Sequence, residues 1–148
     1  MEKVKKLKFF SNGKWLESKA FKYMPVYNPS TGEVQAEAPC CTQEEVEEAI
    51  AAAHAAYPEW AATPVVKRVQ VLYKFRDLII EHEEELTEIC AREHGKNWQE
   101  SAGDIGKVKE PVELACGTPN LMMGESLMNT SPGFDTVMYR EPLGYLPA

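Results

Sequence analysis

The stretch Ala38–Trp60, "APCCTQEEVEEAIAAAHAAYPEW", marks the point at which strands give way to helices in this chain. Thr42 and Glu45 have the three-residue spacing of a capping box, in which each side chain accepts a hydrogen bond from a free amide of the other residue at the start of a helix. Pro58 lacks an amide, so we expect it to kink or end the regular part of this helix. Apolar residues on the predicted buried face recur at steps of three and four; they are Val46, Ala49, Ile50, Ala53, Tyr57 and Trp60.

Two turn signals precede this helix. Asn12-Gly13 lies between two runs rich in aromatic residues, and this dipeptide favours the two-residue turn of a β-hairpin. The segment Asn28–Gly32 predicts a second turn, in which Pro29 fixes φ and Gly32 adopts a left-handed conformation. The chain is therefore expected to begin with two strand pairs.

Three further helices are predicted after the first. Thr63-Pro64 indicates a helix start, with the threonine as the N-cap and proline at the first helical position. The next helix covers His82–Glu93, and Gly95 ends it as a C-cap. A last helix runs from about Trp98 toward Ala115 or beyond.

The remaining residues predict a loop followed by one strand. The segment from Gly117 to Asp135 is typical of a loop, and Thr136–Arg140 alternates polar and apolar residues as a half-buried strand does. Pro142 and Gly144 then indicate a turn toward a further element. We interpret the strand as having an exposed edge and no evident partner.

The composition excludes several classes of function. With 148 residues, 44% of them apolar and 26% charged, the chain resembles an ordinary soluble domain. Its net charge of −7 repels nucleic acid, and no basic stripe offsets it. No apolar run approaches the roughly 18 residues of a membrane helix, and no signal peptide is recognisable. We expect a cytoplasmic protein with reduced cysteines that binds neither nucleic acid nor membrane.

Motifs for phosphate binding and for a serine nucleophile are incomplete. The stretch "SAGDIGKV", residues 101–108, lacks the first glycine and the final Ser or Thr of a phosphate-binding loop. A G-x-G-x-x-G dinucleotide motif does not occur in the sequence. The stretch "GESLM", residues 124–128, lacks the second glycine of a nucleophile elbow. Neither motif predicts a site.

The cysteines give no complete site either. Cys90 and His94 are four residues apart on one helical face and would supply half of a metal site. The other candidates, Cys40, Cys41 and His54, show no paired spacing, so we expect no metal, with Cys90 in the core and His94 at the surface. Cys40 and Cys41 precede a helix start, which favours a thiolate, but no base or oxyanion site accompanies them.

Several motifs taken in order resemble the N-terminal part of an NAD-dependent aldehyde dehydrogenase, from about Phe9 to Gly144. They are "FFSNGKW", "YNPSTGEV", "PEWAATPVVKRVQVLYKFRDLI", "EHGK" and "YREPLG". Within this superfamily the sequence is most similar to the CoA-acylating methylmalonate-semialdehyde dehydrogenase group.

This resemblance implies an α/β fold that comprises the N-terminal part of the aldehyde dehydrogenase fold. It would contain two short β-hairpins or strand pairs, about four α-helices and one C-terminal strand of the oligomerisation sheet, with an incomplete cofactor domain. Residues 1–148 would form a single truncated segment. Residues 1–134 would be hairpins and helices of the cofactor domain, and residues 135–148 would begin the oligomerisation strand.

The resemblance also implies a function for the parent enzyme. The parent would be a cytoplasmic homotetramer that oxidises an aldehyde of the methylmalonate or malonate semialdehyde type with NAD and coenzyme A to an acyl-CoA. The family's cysteine nucleophile, oxyanion residues and NAD contacts all lie beyond position 148 in the family's order. None of Cys40, Cys41, Cys90 and Cys116 falls at the nucleophile's place. We therefore expect no catalytic, cofactor-binding or metal residue here, no NAD binding and an inactive fragment.

The sequence departs from the family pattern at two places, and two alternatives to the proposed parent stay open. Tyr145–Ala148 departs from the family pattern after "REPLG", which suggests a truncated or frame-shifted reading frame. Ala102 stands where some acylating members carry an arginine linked to substrate handling, so a parent that oxidises a different aldehyde, whether acylating or non-acylating, is an open alternative. The complete start and stop signals of the helices also fit a stand-alone acidic helical module that binds protein partners.

Overall fold

The computed structural model describes residues 4–144, which contain seven strands and five helices. The strands are β1 (Lys5–Lys6), β2 (Phe9–Ser11), β3 (Lys14–Leu16), β4 (Tyr23–Tyr27), β5 (Val34–Pro39), β6 (Ser126–Ser131) and β7 (Phe134–Val137). The helices are α1 (Gln43–Ala62), α2 (Val65–Glu81), α3 (Glu83–His94), α4 (Trp98–Cys116) and α5 (Thr118–Leu121). None of the helices within the described range has both the length and the apolar character needed to cross a bilayer.

The first predicted hairpin is confirmed as β2 and β3. Asn12 has φ 48° and Gly13 has φ 75°, as a two-residue hairpin turn with two left-handed positions requires. The strands pair in antiparallel fashion, and the rings of Phe10 and Trp15 meet edge to face with centroids 5.2 Å apart. This cross-strand aromatic pair stabilises the hairpin.

The second predicted pair is confirmed as β4 and β5, joined by the turn Asn28–Gly32. The Gly32 amide donates to the Asn28 carbonyl at 2.7 Å, with Gly32 at φ 75°. In addition β1 runs parallel to β5, with Lys5 opposite Ala36, so that the sheet has the order β1-β5-β4. The sequence did not predict this parallel pairing.

The capping box at the start of α1 is present as predicted. The Thr42 hydroxyl accepts from the Glu45 amide at 3.3 Å, and the Thr42 amide donates to Glu45 Oε2 at 2.9 Å. The helix continues through Pro58 to Ala62, so it does not end at the proline, and the alternative of a kink there stays a prediction. The helix can continue because Pro58 removes only one amide donor from it.

The junction between α1 and α2 differs from the prediction. Thr63 ends α1 instead of starting α2, because its hydroxyl donates to the Glu59 carbonyl at 2.9 Å and its amide donates to the same turn. Pro64 is the N-cap residue of α2 and provides no side-chain cap. The Pro64 carbonyl instead accepts from the amides of Lys67 and Arg68 at 2.8 and 3.1 Å.

Helices α3 and α4 agree with the predicted positions. Gly95 ends α3 with φ 67°, and the Asn97 side chain caps α4 by accepting from the Glu100 amide at 2.9 Å. Helix α4 continues through Pro111 to Cys116. Helix α4 packs against both α2 and α3, which places the helical core between these three elements.

The predicted loop from Gly117 to Asp135 is partly wrong. It contains the short helix α5 and the strand β6, and β6 pairs with β7 through a turn at Pro132-Gly133. The last strand is therefore Phe134–Val137 instead of Thr136–Arg140, and β6 is its partner. This hairpin spans the proposed division between residues 134 and 135, which stays a prediction.

The described core is small. Val69, Ile79 and Cys116 are the buried apolar side chains within residues 4–144. Thr87 and Ser101 are also buried, and each hydroxyl donates to a carbonyl four residues earlier in the chain, Glu83 at 2.7 Å and Asn97 at 3.0 Å. These bonds satisfy the two buried hydroxyls within their own helices.

The exposed surface is large for the size of the chain. The solvent-accessible area is 11907 Å². A compact monomer of 16.6 kDa exposes roughly 7,600 Å², so this chain exposes about 1.6 times the area of a compact monomer. Large apolar side chains are among the exposed residues: Leu127 and Phe134, in β6 and β7, are 61% and 68% exposed.

Candidate functional site

The neighbouring thiols Cys40 and Cys41 lie between β5 and α1, as the sequence predicted. Cys40 is exposed and its amide donates to the Lys22 carbonyl at 3.0 Å, while Cys41 is half-buried. A nucleophilic thiol needs a base or a cation that lowers its pKa. Of the two acidic side chains in the first turn of α1, Glu44 and Glu45, the carboxylate of Glu45 accepts hydrogen bonds from other residues.

Glu45 connects the loop between β3 and β4 to the start of α1. Its carboxylate accepts from the Lys19 amide and the Ser18 hydroxyl, both at 2.7 Å, in addition to the Thr42 amide. These donors, the Lys19 amide above all, lower the pKa of Glu45. A carboxylate held in its ionised form by three donors is a weak base, so its role is structural.

The motifs that the sequence left incomplete lie in regular structure. Residues 101–108 are in the interior of α4, where backbone amides are already used within the helix and cannot bind a phosphate. Ser126 is the first residue of β6 and pairs with Val137 in a hairpin. A nucleophile elbow requires a strand-to-helix turn, so the position of Ser126 does not fit one.

A groove of about 450 Å³ lies between α2, the end of α4 and α5. Arg76 Nε donates to Glu113 Oε1 at 2.8 Å across it, and this bond raises the pKa of Arg76. The buried thiol of Cys116 also lines the groove. Because the arginine and the glutamate compensate each other, the groove offers little net charge to an anionic ligand.

Cys90 and His94 meet a third side chain that the sequence did not indicate. This residue is Asp104, in α4. One of its carboxylate oxygens, the Cys90 sulfur and one ring nitrogen of His94 all lie within 4.8 Å of one another. His94 is exposed as expected, but Cys90 is only half-buried. No local spacing links Asp104 to the other two residues, since the contact depends on how α3 and α4 pack.

The hairpin of β6 and β7 is exposed over its whole length. It is connected to the preceding segment by the Met138 amide, which donates to the Glu125 carbonyl at 2.8 Å, and by Arg140 Nε, which donates to the Met123 carbonyl at 3.0 Å. A two-stranded ribbon that exposes both edges and both faces is a site of further strand pairing or packing.

Comparison with known proteins identifies the family. The sequence matches the aldehyde dehydrogenase family over residues 15–148. It is 42% identical over 144 residues to a malonate-semialdehyde dehydrogenase from Listeria innocua, covering 97% of this chain and 30% of that protein. It is 43% identical over 141 residues to malonate-semialdehyde dehydrogenase 1 from Geobacillus thermodenitrificans, covering 95% of this chain and 29% of the relative.

Solved structures show the same correspondence. One, described as a methylmalonate-semialdehyde dehydrogenase from Sinorhizobium meliloti 1021 complexed with NAD, superposes with a TM-score of 0.91 at 33% identity, over 97% of this chain and 29% of that chain. A methylmalonate-semialdehyde dehydrogenase from Oceanimonas doudoroffii gives a TM-score of 0.89 at 33% identity, over 95% of this chain and 28% of that chain.

These matches confirm the predicted family and fold class. The chain spans about 30% of the length of the curated relatives it matches. The chain belongs to the aldehyde dehydrogenase family of oxidoreductases, and its mixed α/β structure is the N-terminal part of that family's fold.

Proposed function

We propose that this chain is the N-terminal scaffold segment of an NAD-dependent aldehyde dehydrogenase that oxidises malonate or methylmalonate semialdehyde to an acyl-CoA. Residues 1–134 would pack on the remainder of the cofactor domain, and residues 135–148 would belong to the oligomerisation region. We further propose that the parent enzyme is a cytoplasmic homotetramer and that coenzyme A is its acyl acceptor. The names and bound NAD of the similar proteins support the substrate class and the cofactor.

The observation that carries this proposal is the excess of exposed surface. A chain that exposes about 1.6 times the area of a compact monomer of its mass buries too little apolar surface to offset the entropy cost of folding comfortably. Exposed apolar patches of more than a few hundred square ångströms mark surfaces that contact other protein. Since the relatives are about three times longer, the remainder of an aldehyde dehydrogenase is the natural partner for this surface.

The described side chains support a structural role for this segment. Aldehyde oxidation through a thioester requires a cysteine thiolate and donors for the oxyanion. Cys116 is buried. Cys40 and Cys41 precede α1, where the Lys19 amide above all, with the Ser18 hydroxyl and the Thr42 amide, lowers the pKa of Glu45. We therefore propose that the segment supplies neither the nucleophile nor the NAD contacts and is inactive alone.

A chimera tests the proposal. The segment of the Listeria innocua enzyme that this chain matches is replaced by residues 4–144 of this chain, and NADH formation is followed with malonate semialdehyde, NAD and coenzyme A. We expect a soluble oligomer that forms NADH in a manner that depends on coenzyme A. The isolated chain and the Listeria enzyme without its matching segment serve as controls, and neither should form NADH.

Two outcomes would contradict the proposal. One is a soluble, folded chimera without dehydrogenase activity, and the other is NADH formation by the isolated chain. If the chimera is active and coenzyme A has no effect on its rate while the Listeria enzyme depends on it, the segment favours water as the acceptor and the alternative of a non-acylating enzyme is preferred.

The alternative of an independent helical module keeps one supporting observation. The last strand, for which the sequence indicated no evident partner, pairs with β6, so the described segment contains no unpaired strand at its end. A module would be a compact and monomeric protein. Sedimentation of the isolated chain distinguishes the two: a monodisperse, stable monomer favours the module, and concentration-dependent association favours the scaffold segment.

A further inference from the structure

We propose that Cys90, His94 and Asp104 form a binding site for a zinc-like divalent transition metal ion. The three side chains supply a thiolate, an imidazole and a carboxylate, which are the ligand types that bind zinc in proteins. The site would fix the C-terminal end of α3 to α4. It would do so independently of any dehydrogenase activity.

The geometry places three donors around one point. Cys90 and His94 are one turn apart on the same face of α3, and Asp104 lies on the second turn of α4. Their donor atoms are all within 4.8 Å of one another. Around a tetrahedral zinc ion such atoms are about 3.3 to 3.6 Å apart, as follows from zinc–ligand distances of about 2.0 to 2.3 Å. We expect rotation of the side chains to bring the donor atoms to these distances.

The charges around the site are compatible with a cation but include a competitor. Lys96 Nζ contacts Asp104 Oδ2, and this bond lowers the pKa of the Asp104 carboxyl. Lys107 Nζ lies 4.0 Å from the other carboxylate oxygen. A metal ion that binds Asp104 competes with the Lys96 ammonium for the same carboxylate. Removing that ammonium should therefore strengthen metal binding.

The solvent exposure of the ligands is that of an open site. Cys90 and Asp104 are half-buried and His94 is exposed, so a metal ion can enter from solvent. Three protein ligands leave a fourth position for water, as in zinc sites with an open coordination position. We expect a rapidly exchanging site that is weaker than a closed structural site with four protein ligands.

Cobalt and zinc titrations of the reduced, metal-free 148-residue chain test this proposal. Co²⁺ should produce a thiolate-to-cobalt charge-transfer band that saturates at one ion per chain, and Zn²⁺ should abolish it by competition. Cys90→Ser and Asp104→Asn should each weaken Zn²⁺ binding at least tenfold. Lys96→Met should strengthen it. The matched control, Cys40→Ser combined with Cys41→Ser, removes two thiols but keeps the site and should leave the affinity unchanged.

The exposed ligand keeps the test independent of folding defects. His94→Gln alters a solvent-exposed side chain, so its far-ultraviolet circular dichroism should match that of the parent chain while its Zn²⁺ affinity falls. The proposal is overturned if Zn²⁺ affinity is the same in the parent chain, Cys90→Ser and His94→Gln. It is equally overturned if the loss of affinity follows the Cys40 and Cys41 substitutions instead.

Discussion

Substitution of Gly95 by alanine tests whether the end of α3 packs on the turn between β4 and β5. Gly95 has φ 67°, and a Cβ added to it would lie 2.9 Å from Pro29 Cγ and 3.0 Å from Ser30 Oγ. Gly32 has a similar φ of 75°, yet a Cβ added there meets no atom within 4 Å. The two glycines share the backbone strain and differ in the contact.

The expected magnitudes follow from the backbone strain that both positions share and from the contact that occurs only at Gly95. A left-handed conformation costs an alanine about 1 to 2 kcal/mol, and the smaller entropy of the unfolded alanine chain offsets part of this equally at both positions. The close contact with a rigid proline ring adds about 1 to 3 kcal/mol at Gly95 only. We therefore expect Gly95→Ala to lower the free energy of unfolding by about 1 to 3 kcal/mol more than Gly32→Ala does.

Urea unfolding of the isolated chain, followed by far-ultraviolet circular dichroism, measures this difference. A neighbouring bond also joins the two segments, since Gln35 Nε2 donates to the Arg92 carbonyl at 3.2 Å. Gln35→Ala should weaken the same interface without any backbone strain. Equal losses for Gly95→Ala and Gly32→Ala would refute the packing of α3 on this turn.

Three further predictions concern the helices and the hairpin. The donors to Glu45 lower its pKa in the folded state, so its stabilising contribution is present above the ordinary pKa of 4.5 and is lost as the pH falls through the lowered folded value. An acid titration followed by helix content should show this loss. Glu45→Gln should remove that part of the pH dependence. Val69→Ala in the core should lower the free energy of unfolding by about 2 kcal/mol, whereas the control Val66→Ala at an exposed position should lower it by less than about 0.5 kcal/mol. Thermal melts measure both, and equal losses would contradict the described core. The isolated chain should associate as its concentration rises because the β6 and β7 hairpin is exposed, and a sharp calorimetric transition that is independent of concentration would contradict this.

Local signals in the sequence predicted much of the fold correctly. The capping box of Thr42 and Glu45, the Asn12-Gly13 turn and the C-cap at Gly95 each depend on interactions within a few residues. Such interactions are specified by residue type and spacing alone. They are therefore readable before any tertiary contact is known.

The errors occurred where one signal had two meanings or where distant segments meet. Thr63 closes α1 because a threonine hydroxyl binds the preceding turn as readily as the following one. Pro132-Gly133 was a usable turn signal for the hairpin of β6 and β7, but the polar strand β6 lacks apolar alternation. The parallel pairing of β1 with β5, and the approach of Asp104 to Cys90, depend on packing between segments that are far apart in sequence.

NADH formation by the chimera with the Listeria innocua enzyme tests most directly whether this segment is aldehyde dehydrogenase scaffold. We predict coenzyme A-dependent oxidation of malonate semialdehyde by the chimera and no NADH from the 148-residue chain alone under the same conditions. A correctly folded chimera that forms no NADH, or an isolated chain that does form it, would contradict this account.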